Sequence, residues 1–185
     1  PSASPVKPRC GDTAARFKHA FGHTGDMPDL ISIAVPIYNT ARFLPAALDS
    51  LLAQDYPHWE ALLWEDGSSD GSAQIAADYA ARDPRFRLLG DGRNHGVGIA
   101  MASALDAAGG DYVGVLDGDD LLEPQALSAM LAFMTAQPSL GMAYSQYVEI
   151  DEDGNELGPG HRFRTPYSPQ HLLVAGGIGI TPILG

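Results

Sequence analysis

The chain has 185 residues, 45% of them hydrophobic, which is enough to bury the core of one domain and excludes a disordered chain. With a formal charge of −12 and both lysines, Lys7 and Lys18, near the start, it has no basic stripe to follow a phosphate backbone, so nucleic acid is excluded as a partner. A single cysteine, Cys10, offers neither an internal disulfide nor a thiolate cluster, and the setting expected is reducing and cytoplasmic.

Residues 1–28, PSASPVKPRCGDTAARFKHAFGHTGDMP, mix Pro, Ser, Gly and His without sustained periodicity and read as a linker or arm, with one short helix around Ala14–Phe21. A β-α-β-α rhythm begins at Leu30. LISIAVP is the first strand, and ARFLPAALDSLLAQ is a helix with Leu44, Leu48, Leu51 and Leu52 on one face and capping oxygens on Asn39 and Thr40 ahead of it. WEALLWED is the second strand, and EDGSSDG enters the helix SAQIAADYAARD with Asp70 or Ser69 as cap. The third unit runs through RFRLLG, the loop DGRNHGVG and the helix IAMASALDAA. The fourth strand is YVGVLD, followed by an acidic cluster and a helix that Pro124 opens and that ends near Gln137.

GMAYSQYVEI reads as a further strand, DEDGNE as a turn to an antiparallel partner, and SPQHLLVA as the start of another helix. Strands alternating with crossover helices imply an α/β fold, with a mainly parallel central sheet, flanking helices and a ligand site beyond the carboxyl ends of the strands. The expected division is an arm at 1–28, a ligand-binding domain at 29–150, and at 151–185 the opening of a second half. The longest apolar tract, LLVAGGIGITPILG, is too short and too broken by Gly and Pro to span a bilayer. Because the chain opens on Pro and stops inside that tract, a fragment of a longer polypeptide is expected, with any membrane association residing in the missing regions.

The polar clusters carry the functional signal. PIYN follows the first strand, EDGSSD the second, GRNHG the third and DGDD the fourth, so a parallel sheet brings all four to one edge. Singly, each has a plain structural explanation: a turn, a solvated strand end, a packed aromatic at Tyr38, an exposed loop arginine at Arg93. Together they make a site. Asp117, Asp119 and Asp120 crowd four positions, and such like charges raise one another's pKa unless a cation or solvent separates them.

From Ile31 to about Met134, these motifs in this order resemble an inverting glycosyltransferase of family 2 with the GT-A nucleotide-sugar-binding fold. The resemblance implies that Pro36 and Tyr38, with Asn39 in the same loop, flank the base and ribose. It implies that Asp66, preceded by Glu65, accepts a hydrogen bond from a uracil ring, and that Arg93 and Asn94 belong to the donor loop. DGD matches the family's DxD motif, so Asp117 is implied to face the ribose, Gly118 to allow close approach, and Asp119 to bind Mg²⁺ or Mn²⁺. The implied reaction moves a sugar from a nucleotide diphosphate, UDP in the first instance, to a hydroxyl acceptor on a glycan, lipid or protein.

Two departures accompany the resemblance: Glu65 stands where relatives often carry Asp, and Met101 and Ala102 where they often carry Arg-Asn. No equivalent of the general base precedes Gly185; Asp151, Glu152 and Asp153 read as a solvated hairpin tip, and Asp120 and Asp151 are the first candidates should the base lie within these residues. His95, His161 and His171 show no ligand spacing. A nucleotidyl transferase is disfavoured by the lack of lysine in the core, as is a phosphoreceiver domain, which leaves a non-catalytic nucleotide- or metal-binding module as the alternative.

Overall fold

The computed structural model describes residues 28–160 together with the backbone of 183–184. The expected arm, its short helix and SPQHLLVA lie outside the described residues. Four strands, β1 (Ile31–Ile37), β2 (Trp59–Glu65), β3 (Phe86–Leu89) and β4 (Tyr112–Val115), run parallel in the order β3-β2-β1-β4. Beyond β4 lie two short strands, β5 (Met142–Ala143) and β8 (Ile183–Leu184), with β8 between β4 and β5 and antiparallel to both. The α/β expectation, with a mainly parallel sheet, is met.

Burial follows from position in the sheet. β1 is its central parallel strand, and Ile31, Ser32, Ile33, Ala34 and Val35 are all buried, as a strand covered on both faces requires. One face packs Ile31, Ile33, Val35 and Ile37 against Leu44, Leu48 and Leu51 of α1 (Leu44–Leu52), Ala76 and Tyr79 of α2 (Ser72–Arg82), and Leu127 of α4 (Ala126–Ala136). The other face sets Ala34 and Leu62 against α3 (Val97–Asp106), where the small side chains of Ala100 and Ala104 allow close approach.

Several local expectations are corrected. Neither Asn39 nor Thr40 caps α1; the Thr40 carbonyl instead accepts the Phe43 and Leu44 amides, and helix geometry begins only at Leu44. The N-cap of α2 is Gly71, at φ 98°, a left-handed position that favours glycine. Pro124 does not open a helix: α4 starts at Ala126, with no side-chain cap of its own. GMAYSQYVEI is not one strand. It divides into β5 in the main sheet and β6 (Val148–Ile150), which pairs with β7 (Glu156–Pro159) in a separate two-stranded sheet.

The turn of that hairpin is DEDGNE, as expected, and the Asp151 carboxylate holds it by accepting the Asp153 and Asn155 amides. These bonds, with the Asn155 side chain foremost, keep the Asp151 carboxyl below the ordinary range. No helix among the described residues is long and apolar enough to cross a membrane.

Candidate functional site

The carboxyl ends of β1 to β4 open onto four loops, and backbone amides that leave the strands without ladder partners are captured by side chains from the neighbouring loop. After β1, the Asn39 amide donates to Ser68 Oγ at 3.1 Å, the Thr40 amide to Ser72 Oγ at 2.9 Å, and the Ala41 amide to Asp70 Oδ2 at 2.9 Å. Asn39, at φ 52°, returns its Oδ1 to the Ser69 amide at 2.8 Å. The β1 and β2 loops are thus laced together by the serines and Asp70 of GSSDGS.

The β2 loop is laced to the β3 loop by Asp66. Asp66 is 3% exposed as a residue, and its carboxylate accepts the His95 amide at 2.8 Å and the Gly96 amide at 2.9 Å. Backbones approach closely here: a Cβ on Gly67 would meet the Asn94 nitrogen at 2.8 Å, and one on Gly90 would meet the Glu65 carbonyl oxygen at 2.3 Å. Glu65 turns its carboxylate back on its own loop, accepting the Gly67 amide at 3.1 Å and the Ser68 amide at 2.5 Å. The β4 loop closes on the first, since a Cβ on Gly118 would lie 3.0 Å from Thr40 Oγ1. That Thr40 oxygen is buried and has no hydrogen-bond partner among the described residues.

Against this background the acidic cluster is different. Asp117, Asp119 and Asp120 are exposed on the β4 loop, and among the described residues their carboxylates make no hydrogen bond or ion pair, whereas those of Glu65, Asp66 and Asp70 are engaged by backbone amides. Protein atoms crowding round the loop push the Asp117 carboxyl up, and the neighbouring Asp119 adds to the rise. Asp120 is raised in the same way, first by desolvation and then by Asp117 and Asp119. A divalent cation would relieve that repulsion, and oxygen-only donors suit Mg²⁺ or Mn²⁺. No group of three His, Cys, Asp or Glu among the described residues converges as a ready-made cage, so a cation held here would complete its shell with water or substrate oxygens.

The remaining candidates border the same edge. Pro36 lies in β1 opposite Trp64 and is half-buried, while Tyr38 follows it at 51% exposure. Arg93 is exposed, with its backbone amide on Asp91 and no ion pair for its guanidinium among the described residues. Asn94 lies where the β3 loop passes Gly67, and His95 Nε2 meets Asp91 at 2.9 Å, which lowers the Asp91 carboxyl. Ser68, Asp70 and Ser72 do not stand out in the sequence as site residues. Their signal is a hydroxyl- and carboxylate-rich turn facing a neighbouring loop whose amides need acceptors.

The sequence model described as Glycosyl transferase family 2 matches residues 32–180. The chain is 33% identical over 146 residues to chondroitin synthase of Escherichia coli, covering 79% of this chain and 21% of that protein. It is 33% identical over 128 residues to the putative teichuronic acid biosynthesis glycosyltransferase TuaG of Bacillus subtilis, covering 69% of this chain and 50% of that one. The chain therefore spans half or less of the length of these two relatives. Among solved structures, S. aureus TarS with UDP-GlcNAc superposes at a TM-score of 0.56 with 27% identity, over 62% of this chain and 33% of that one. The mannosyltransferase PcManGT of Pyrobaculum calidifontis, with GDP-Man and Mn²⁺, superposes at 0.56 with 26% identity, over 70% and 39% respectively.

Proposed function

The chain belongs to glycosyltransferase family 2, and from that premise we propose that it forms the donor-binding part of an enzyme that transfers a sugar from UDP to a hydroxyl acceptor with inversion. The observation that carries the reading is the contrast at the strand ends: a rigidly laced set of loops beside three carboxylates with free oxygens. Neighbours that hold UDP-GlcNAc or GDP-Man with Mn²⁺ on this fold support it.

In this reading Tyr38 offers an exposed ring for a base to stack on, with Pro36 at its side. Asp66 keeps lone pairs free on both oxygens after accepting the two amides, and one of them takes the N–H of uracil. Arg93 and Asn94 form the rim on the β3 side. Asp117 faces the ribose, and Asp119, with the free oxygens of its carboxylate, holds Mn²⁺ or Mg²⁺ together with the donor's pyrophosphate. A bound divalent cation supplies neutralisation of the charge that develops on the departing nucleoside diphosphate. Residues 29–150 are then the donor domain, and 151–185 begin the acceptor side.

The test is calorimetric titration of the intact protein with UDP, with Mn²⁺ and with EDTA, for wild type and Asp119→Ala. Expected are metal-dependent binding in the wild type, and its loss in the variant without a change in melting temperature. Equal UDP affinity with and without EDTA refutes the metal reading. Failure to release UDP from any UDP-sugar despite tight binding would favour a non-catalytic nucleotide-binding module.

A further inference from the structure

The acidic loop runs from the end of β4 to the start of α4, and its own residues hold its far end by one backbone bond, from the Ala126 amide to the Glu123 carbonyl at 2.9 Å. Nothing in Gln125 or its neighbours caps α4 with a side chain. The missing acceptor comes from elsewhere in the chain: Gln54 Oε1, just past α1, accepts the Leu127 amide at 3.0 Å. The same side chain donates from Nε2 to the Glu123 carbonyl at 2.8 Å and to the Ser50 carbonyl at 3.0 Å. One buried amide thus has both its acceptor and its donors engaged.

Its neighbours act on the same segment. Ser50 Oγ accepts the Leu122 amide at 3.1 Å, and the Asp55 amide donates to the Pro124 carbonyl at 2.9 Å. Backbone groups of Leu122, Glu123, Pro124 and Leu127 are all tied to the end of α1, beginning three residues after Asp119. At its near end the loop is fixed by the Leu116 amide on the Ala34 carbonyl at 3.0 Å and by the fit of Gly118 against Thr40.

We propose that Gln54, seconded by Ser50, is a positioning residue for the acidic loop, setting where the Asp117 and Asp119 carboxylates stand for cation and donor. The inference rests on the reading of Asp119 as a metal-binding carboxylate. Like charges on a short loop repel, so a loop anchored at one end only would relax outward into solvent. Anchoring at both ends keeps the carboxylates together in the absence of the cation, and part of the cost of ordering them is met on folding.

The experiment compares the intact wild-type protein with Gln54→Met, which keeps the side chain's length and removes its hydrogen bonds, and with Ser32→Ala. Ser32 is buried at the opposite, amino edge of the sheet, where its Oγ bonds Glu60 and the Gly110 amide, so its loss destabilises the fold away from the site. The readouts are melting temperature, amide exchange at 119–123, and the Mn²⁺ concentration for half-maximal UDP binding by calorimetry.

Gln54→Met is expected to raise that concentration by about tenfold, the low end of what loss of groups supporting a metal's ligands costs, and to speed exchange in the loop. Ser32→Ala should lower the melting temperature and leave the Mn²⁺ requirement alone. If Gln54→Met does not fold, Ser50→Ala, which removes the Leu122 bond to the loop and one bond within α1 to the Ala47 carbonyl, should shift the requirement in the same direction by less. Metal-dependent UDP binding with an unchanged Mn²⁺ requirement in the Gln54 and Ser50 variants, or an equal shift in Ser32→Ala, overturns the inference alone. UDP binding by the wild type that ignores EDTA overturns the reading of Asp119 and this inference with it.

Discussion

Replacing Asp66 by Asn tests whether the carboxylate at the heart of the site holds the loops or serves the nucleotide alone. Both of its oxygens accept backbone amides, from His95 and Gly96, and the side chain is almost wholly buried. Asparagine supplies one carbonyl oxygen and one NH₂, so one amide keeps a neutral acceptor while the other faces a donor. Loss of one charge-assisted bond costs about 1.5–3 kcal/mol, and conversion of the other to a neutral bond adds to it, for a total of about 2–4 kcal/mol.

For a domain of this size each 1 kcal/mol moves the melting temperature by about 2–4 °C, so Asp66→Asn should lower it by about 5–15 °C without any ligand present. Differential scanning fluorimetry measures the shift, and hydrogen exchange should show the His95 and Gly96 amides released ahead of the strands. A variant that melts within about 1 °C of wild type, with those amides still protected, would refute the loop-holding role. UDP affinity should fall as well, and a fall in affinity with no change in stability would assign Asp66 to the base alone.

Other expectations are as direct. Gly90→Ala, at φ 124° with a Cβ placed 2.3 Å from the Glu65 carbonyl oxygen, should destabilise the fold by about 3 kcal/mol or more, and a chemical denaturation curve unchanged from wild type would contradict it. Asp117 and Asp120 have raised carboxyl pKa values in the folded chain, so the metal-free protein is favoured below the ordinary carboxylate pKa and loses stability as pH rises through the raised values. Asp120→Asn should therefore raise the melting temperature in EDTA at pH 7 and leave it unchanged near pH 3; a fall at pH 7 would show that the repulsion is not felt. Tyr38→Ala should weaken UDP binding with no loss of stability, because the ring is half exposed; thermal melts and calorimetry on the same preparation separate the two. Arg42→Ala breaks an ion pair with Glu152 whose side chains are 60% and 72% exposed, and should cost less than about 1 kcal/mol in denaturant titration.

Much of the fold is written in patterns that the chain repeats. Buried runs such as ISIAV and ALL announce parallel strands, and Leu44, Leu48 and Leu51 at helical spacing mark the face of α1 that meets them. Where the outcome departed from the pattern, a distant partner had taken over a local role. Asn39 and Thr40 look like caps for α1, but their amides and the Asn39 oxygen are engaged by GSSDGS, a contact that only the parallel pairing of β1 with β2 creates. Pro124 looks like a first-turn residue, yet α4 waits two residues for the acceptor that Gln54 brings from just past α1. The acidic cluster stands out in the sequence as a candidate because its spacing is local; the clamp at its far end does not, since Gln54 precedes it by more than sixty positions.

If an acidic chain is to receive an anionic donor, as proposed, its negative groups must not act alike, and the geometry divides them. Glu65, Asp66 and Asp70 lie at the same edge as the DGDD cluster, but each faces backbone N–H groups that engage its charge and lock the loops. Asp117, Asp119 and Asp120 have no such partners among the described residues, and their carboxylates remain available in a frame that the others have made rigid. Similar residue types therefore perform opposite tasks according to whether amides reach them. In the proposed reading, a net charge of −12 is compatible with a diphosphate ligand only where a cation can be held between the two, and the unbonded trio at the end of β4 is the place proposed for it.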